Sequence, residues 1–180
     1  MKKLLSLALA AAVLPFAGAQ AAELKVKVAI PQLDVAEYHR PYVAVWIERP
    51  DASVAANLAV WYQQPRARGG ENKEGGESGT KWLPDLRQWW RRSGRSLELP
   101  VDGVTGATRP AGVHELVFSD AKPPLQGLAA GSYNLVVEAA REVGGRELLK
   151  VPFQWPPAEA TSGSAKGEAE LGVIALELKP

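Results

Sequence analysis

The stretch "YVAVWIERPDASVAANLAVWYQQ", residues 42–64, decides the fold class. Its first third packs Tyr42, Val43, Val45, Trp46 and Ile47 into one run. Such β-branched and aromatic residues suit a pleated surface. Pro50-Asp51 is a turn signal, and Asn57 to Gln63 resumes the same chemistry. The stretch reads as two strands, 42–48 and 57–63, paired antiparallel across a longish turn.

Working outward, "ELKVKVAIPQ" before this hairpin alternates strictly. Leu24, Val26, Val28 and Ile30 stand against Lys25, Lys27 and Ala29, a period of two that predicts a strand with one wet face. Further strands are expected in "VHELVFSD", "GSYNLVVEAARE", "RELLKVPFQW" and "LGVIALELK". Gly144-Gly145 joins two of them as a hairpin turn. "PRARGGENKEGGESGT", residues 65–80, and "WPPAEATSGSAKGEAE" read as loops.

One segment changes period. In "KWLPDLRQWWRRSG" Pro84 suits a first helical turn and Gly94 a helix end. Trp82, Leu86, Trp89 and Trp90 fall near one stripe, and Arg91 and Arg92 lie at the C-terminal end, where cations are favoured. About seven strands with one inserted helix give a mainly β chain, an immunoglobulin-like β-sandwich. No βαβ pattern supports a doubly wound nucleotide fold.

The chain opens with Lys2 and Lys3, an apolar run, and Ala19-Gln20-Ala21, the pattern of a secretory signal peptide cut after Ala21. Residues 22–180 are then a single domain, expected in the periplasm and soluble. The leader holds two of the 21 basic residues and none of the 20 acidic ones, so the remainder is close to neutral. That balance offers no footing for nucleic acid. The absence of cysteine excludes thiol redox chemistry and iron–sulfur clusters. His39 and His114 lie on different segments without metal-ligand spacing, and no G-x-S-x-G motif occurs, so hydrolytic chemistry gains no support and no catalytic residue is assigned.

Six tryptophans are unusual for this length. Trp46 and Trp61 fit the core, and Trp155 a strand end. Trp89 and Trp90 sit about 100° apart on a helix, so one of them is a candidate stacking surface for a flat ring, with Arg91 or Arg92 for an anion.

"LPVDGVTGATRPAGVHEL", residues 99–116, remains. Asp102-Gly103 is a turn dipeptide. Gly103, Gly106 and Ala107 strip side-chain bulk from around Thr108, as if another macromolecule had to reach its hydroxyl. An alcohol is a weak nucleophile at neutral pH, and no base lies nearby in sequence.

"DGVTGAT" resembles the flavinylation motif of exported flavoproteins, D-G-x-S/T-G-A-S/T. Asp102, Gly103, Thr105, Gly106, Ala107 and Thr108 match it position by position, with Val104 in the free place. The resemblance implies that a magnesium-dependent flavin transferase moves the FMN half of FAD onto Thr108. Arg109 is then placed to pair with the phosphodiester, and Trp89 or Trp90 to stack on the ring. "RPYVAVWIE", "KWLPDLRQWWR", "VDGVTGATRPAGVHEL" and "SYNLVVEAAREVGGRE" together resemble a family of bacterial periplasmic proteins, domain of unknown function 2271. That resemblance implies partnership with the transferase and with a PepSY-type membrane reductase in extracytosolic electron transfer. The other reading is a cofactor-free binding or adhesion module that uses Gly-rich loops and exposed tryptophans.

Overall fold

The computed structural model describes residues 21–64 and 79–180. Residues 1–20 of the expected leader and residues 65–78 of the expected loop over 65–80 lie outside the described residues. Nine strands are found among them: β1 (Glu23–Ile30), β2 (Tyr42–Glu48), β3 (Val54–Tyr62), β4 (Thr105–Ala107), β5 (Gly112–Ser119), β6 (Gly131–Ala140), β7 (Arg146–Trp155), β8 (Thr161–Lys166) and β9 (Val173–Lys179). They form a four-stranded sheet, β5-β1-β9-β8, and a five-stranded sheet, β4-β3-β2-β6-β7. Every pair is antiparallel except β3 with β4.

Both sheets bury one face in a common core. Leu24, Val26, Val28 and Ile30 of β1 meet Val43, Val45 and Ile47 of β2 and Leu135, Val137 and Ala139 of β6. The outer face of β1 is wet, as its alternation predicts, and Lys27 there donates to Glu177 at 2.6 Å. Strand β2 is different, because its other face is covered too. Ala44 and Trp46 point away from the shared core, into a second cluster with Val60, Tyr62 and Val136. Residues 79–96 cover it, contributing Leu83, Leu86 and Trp89. Double burial is why the β2 run is almost continuously apolar.

The hairpin is as expected in kind, with the second strand starting at Val54. Its turn is closed by Arg49 N–H to Ser53 C=O at 2.9 Å, with Asp51 Oδ1 accepting from the Ser53 N–H at 2.9 Å. Trp46, Trp61 and Trp155 are all buried.

Two strands exceed the seven expected. Strand β8, inside the expected loop, is built mostly from small, polar residues; it pairs with β9, and Gly163 and Ala165 are its points of contact with the core side chains. Short, polar and ending on Lys166, it is a typical protected edge. Strand β4 comprises three motif residues recruited onto the edge of β3.

The helix is shorter than expected. Gly79–Asp85 is a 3₁₀ segment containing Pro84, α1 spans Arg87–Arg92, and a 3₁₀ turn follows over Gly94–Ser96. Leu83, Leu86 and Trp89 therefore form the buried stripe, at a spacing of three. Trp82 falls off that stripe and is 46% exposed.

Helix α1 lacks a local cap: Leu86 precedes it and offers no side-chain acceptor. Glu138 of β6, fully buried, does that work from the sheet. Its carboxylate accepts from the N–H groups of Gln88 at 3.0 Å and Trp89 at 2.8 Å, and from Arg146 at 2.5 Å. At the other end Arg92 lies 3.2 Å from Glu48, which also takes Lys150 at 2.5 Å. Buried carboxylates thus hold both ends of the helix to the sheet.

Candidate functional site

The motif residues divide into structural parts and one projecting group. Asp102 and Gly103 are exposed at the tip of a turn, and Gly103 has φ +70°, a left-handed conformation that glycine adopts without strain. Val104, in the free place of the pattern, is buried in the cluster under residues 79–96 and anchors the loop. Thr105 closes the turn, its Oγ1 accepting the Val101 N–H at 2.8 Å.

Gly106 has a different role from the one expected. Its missing side chain faces the protein, where a Cβ would stand 3.2 Å from Cδ1 of Trp61. The clearance serves the approach of β4 to Trp61 and not an incoming macromolecule. Ala107 pairs with Tyr62 and ends the strand, and Thr108 is the first residue beyond it, half-buried. Among the described residues none hydrogen-bonds the Thr108 hydroxyl.

Thr108 opens into a cavity of about 760 Å³ at the end of the sandwich. The connection between β1 and β2 supplies Tyr38, His39 and Arg40, and β2 adds Tyr42. Gln63 and Gln64 follow β3, Trp82 and Asp85 come from the 3₁₀ segment, and Ala140 to Val143 come from the end of β6 and its turn. Such a volume lies within the roughly 300–1,000 Å³ usual for small-molecule and cofactor sites. A sandwich without a nucleotide fold gave no reason to expect it.

The wall of this cavity is polar and aromatic together. Burial pushes the Tyr42 phenol above its ordinary range; the carboxylates of Glu142 and Asp85 push the same way, and a backbone hydrogen bond with Gln63 opposes them in part. Tyr42 is therefore a neutral hydrogen-bonding group at neutral pH. The buried hydroxyl of Tyr38 has no hydrogen-bond partner among the described residues. His39 stands between Glu37 at 3.0 Å and Glu142 at 3.7 Å. Arg141 is committed elsewhere, to Glu170 through contacts of 2.9 and 3.1 Å. Arg40 is exposed at the rim.

The other expected site residues are placed differently. Trp89 is fully buried, its indole N–H donating to Asn57 at 2.9 Å and its ring lying against Gly94. It offers no face to a ligand, which corrects its assignment as a stacking surface. Trp90, half-buried, leans on Trp89 with 6.4 Å between ring centres and does not line the cavity. Arg92 is bound to Glu48. Arg109 follows Thr108 but lays its guanidinium over Trp61, 5.4 Å from the ring centre. His114 meets the same indole edge-on at 5.7 Å. Trp61 is thus held between the motif and β5.

Sequence reasoning missed Tyr38, Arg40, Tyr42 and Trp82 as site residues. Only Trp82 left a trace, as an aromatic just ahead of the helix-starting proline.

No group of histidines and carboxylates suited to a metal ion occurs among the described residues, and no helix there is long and apolar enough to cross a membrane. No curated protein and no solved structure matches the chain. A family model described as "Predicted periplasmic protein (DUF2271)" matches residues 23–173, and the chain belongs to that family of predicted periplasmic proteins.

Proposed function

We propose that this protein is an exported flavoprotein carrying FMN through a phosphoester on Thr108, and that it acts as an electron carrier outside the cytosol. The observation that supports the reading best is the position of Thr108, at the end of β4 and at the mouth of a cavity of about 760 Å³. The cavity meets the size a cofactor requires, and His39, Tyr42 and Gln64 supply polar groups in its lining. A bound flavin supplies hydride and electron chemistry that no side chain of this chain has.

In the loading step the Thr108 oxygen forms a bond to the phosphorus of the FMN half of FAD. The pyrophosphate bond breaks, AMP leaves, and the hydroxyl proton passes to a base. In this reading the base belongs to the flavin transferase. The turn at Asp102-Gly103 gives that enzyme an exposed feature to grip. Once loaded, the chain holds its cofactor at an effective concentration of order mM, so weak contacts with the cavity wall suffice. The scaffold in this reading is an immunoglobulin-like sandwich, and a PepSY-type membrane reductase is the electron-transfer partner.

The test is co-expression with a flavin transferase. The wild-type chain is expected to gain the mass of FMN and a visible flavin absorption that survives denaturation, and Thr108→Ala to gain neither. A Thr108→Ala chain that remains yellow and heavier overturns the assignment. A cofactor-free binding module is the second reading, favoured by the exposure of Trp82 beside an open cavity; a colourless chain of unmodified mass from its own periplasm supports it.

A further inference from the structure

We infer that the isoalloxazine ring of a flavin tethered at Thr108 rests in the adjoining cavity against Trp82, and not on the Trp89–Trp90 pair. The inference rests on the flavinylation reading and adds to it the place and the partner of the ring.

Of the described tryptophans, Trp46, Trp61, Trp89 and Trp155 are buried, each at 3% exposure or less. Trp90 is half-buried against Trp89 and away from the cavity. Trp82 alone combines a large exposed surface, 46%, with a place in the same cavity wall as Thr108. Its exposure has a local cause. The 3₁₀ geometry of Gly79–Asp85 turns Leu83 to the sheet and leaves Trp82 on the free side.

The indole is also oriented in advance. The Lys81 ammonium lies 4.9 Å from its ring centre, a cation–π contact that covers part of the ring and restrains it. A flat, electron-poor ring stacks well on an electron-rich indole, and every such pairing is tolerant of exact register. His39, Tyr42 and Gln64 share the cavity wall and bring polar groups to it for the polar edge of such a ring. The tether makes the encounter intramolecular, which raises the occupancy of even a weak stack.

Contact with indole quenches flavin emission, because the excited flavin takes an electron from the indole and returns it without net reaction. The test therefore compares emission per covalently bound flavin in the flavinylated wild type, Trp82→Leu, Trp82→Phe and Trp90→Phe. The wild type is expected to be strongly quenched. Both Trp82 variants are expected to brighten several-fold, since phenylalanine stacks but is a far poorer electron donor, and Trp90→Phe to match the wild type. Denatured samples of all four give the common unquenched level. Equal emission from wild type and both Trp82 variants, or brightening confined to Trp90→Phe, overturns the placement while leaving flavinylation intact. A wild-type chain without covalent flavin overturns the flavinylation reading itself, and the placement with it.

Discussion

Gly106 abuts the Trp61 indole, close enough that a Cβ would stand 3.2 Å from Cδ1. Trp61 cannot easily yield, being buried, flanked by His114 and covered by Arg109. A branched side chain at Gly106 must therefore lift β4 from the edge of β3. Gly106→Val is expected to lose about 1–3 kcal/mol in urea unfolding, the usual cost of overpacking. It is also expected to slow flavinylation although the acceptor hydroxyl is intact. An unchanged denaturation midpoint would show that β4 has room to spare.

Glu138 carries the N-terminus of α1. Glu138→Ala leaves two backbone N–H groups and the Arg146 guanidinium without their acceptor inside the structure. A loss of about 1–3 kcal/mol is expected, the cost of leaving buried donors unsatisfied, since the Arg146 side chain is 35% exposed and can turn to water. Glu138→Gln, which keeps one acceptor oxygen, is expected to lose less. Equal losses for the two would mean that charge, and not hydrogen bonding, holds the helix.

Glu147 ties down the turn between β8 and β9, accepting from the N–H groups of Glu168 at 2.7 Å, Ala169 at 3.1 Å and Leu171 at 2.8 Å. Burial alone would raise its pKa, but these donors more than offset that and hold the carboxyl below its ordinary value. A carboxylate depressed in the folded state contributes stability above its unfolded pKa and loses it as pH falls through the folded one. The Tm advantage of wild type over Glu147→Gln is expected to be full near neutrality and to vanish as the pH drops below the ordinary glutamate range, around 4.3. A constant difference across that range would contradict the assignment.

Val143, on the cavity rim, has φ 53° with its side chain 82% exposed. The left-handed region is costly for a β-branched residue, and no packing compensates here. Val143→Asn is expected to raise stability by about 1 kcal/mol, read from the shift of the denaturation midpoint. No gain would mean that the turn relaxes freely in the wild type.

The strands that are legible in the sequence are those whose burial is periodic. Leu24 to Ile30 alternate because one face of β1 is dry, and residues 42–48 run apolar because both faces of β2 are. Strand β8 escaped notice because Thr161 to Lys166 bury little, so their composition resembles a loop. Strand β4 escaped for the same reason, as Thr105 to Ala107 have almost no side chain to pattern. The stripe expected on the helical segment fails at Trp82, where a spacing of three replaces that of an α-helix.

Side-chain alternation, turn residues and the small-residue run ending in Thr108 are local properties, and the sequence by itself determined the β character of the chain and its candidate acceptor hydroxyl. Only the tertiary structure decided that Gly106 faces Trp61, that Trp89 is sealed between α1 and the sheet, and that Trp82 shares a cavity with Thr108. Each depends on which surface covers another across segments distant in the chain, and periodicity along one segment holds no record of what packs against it.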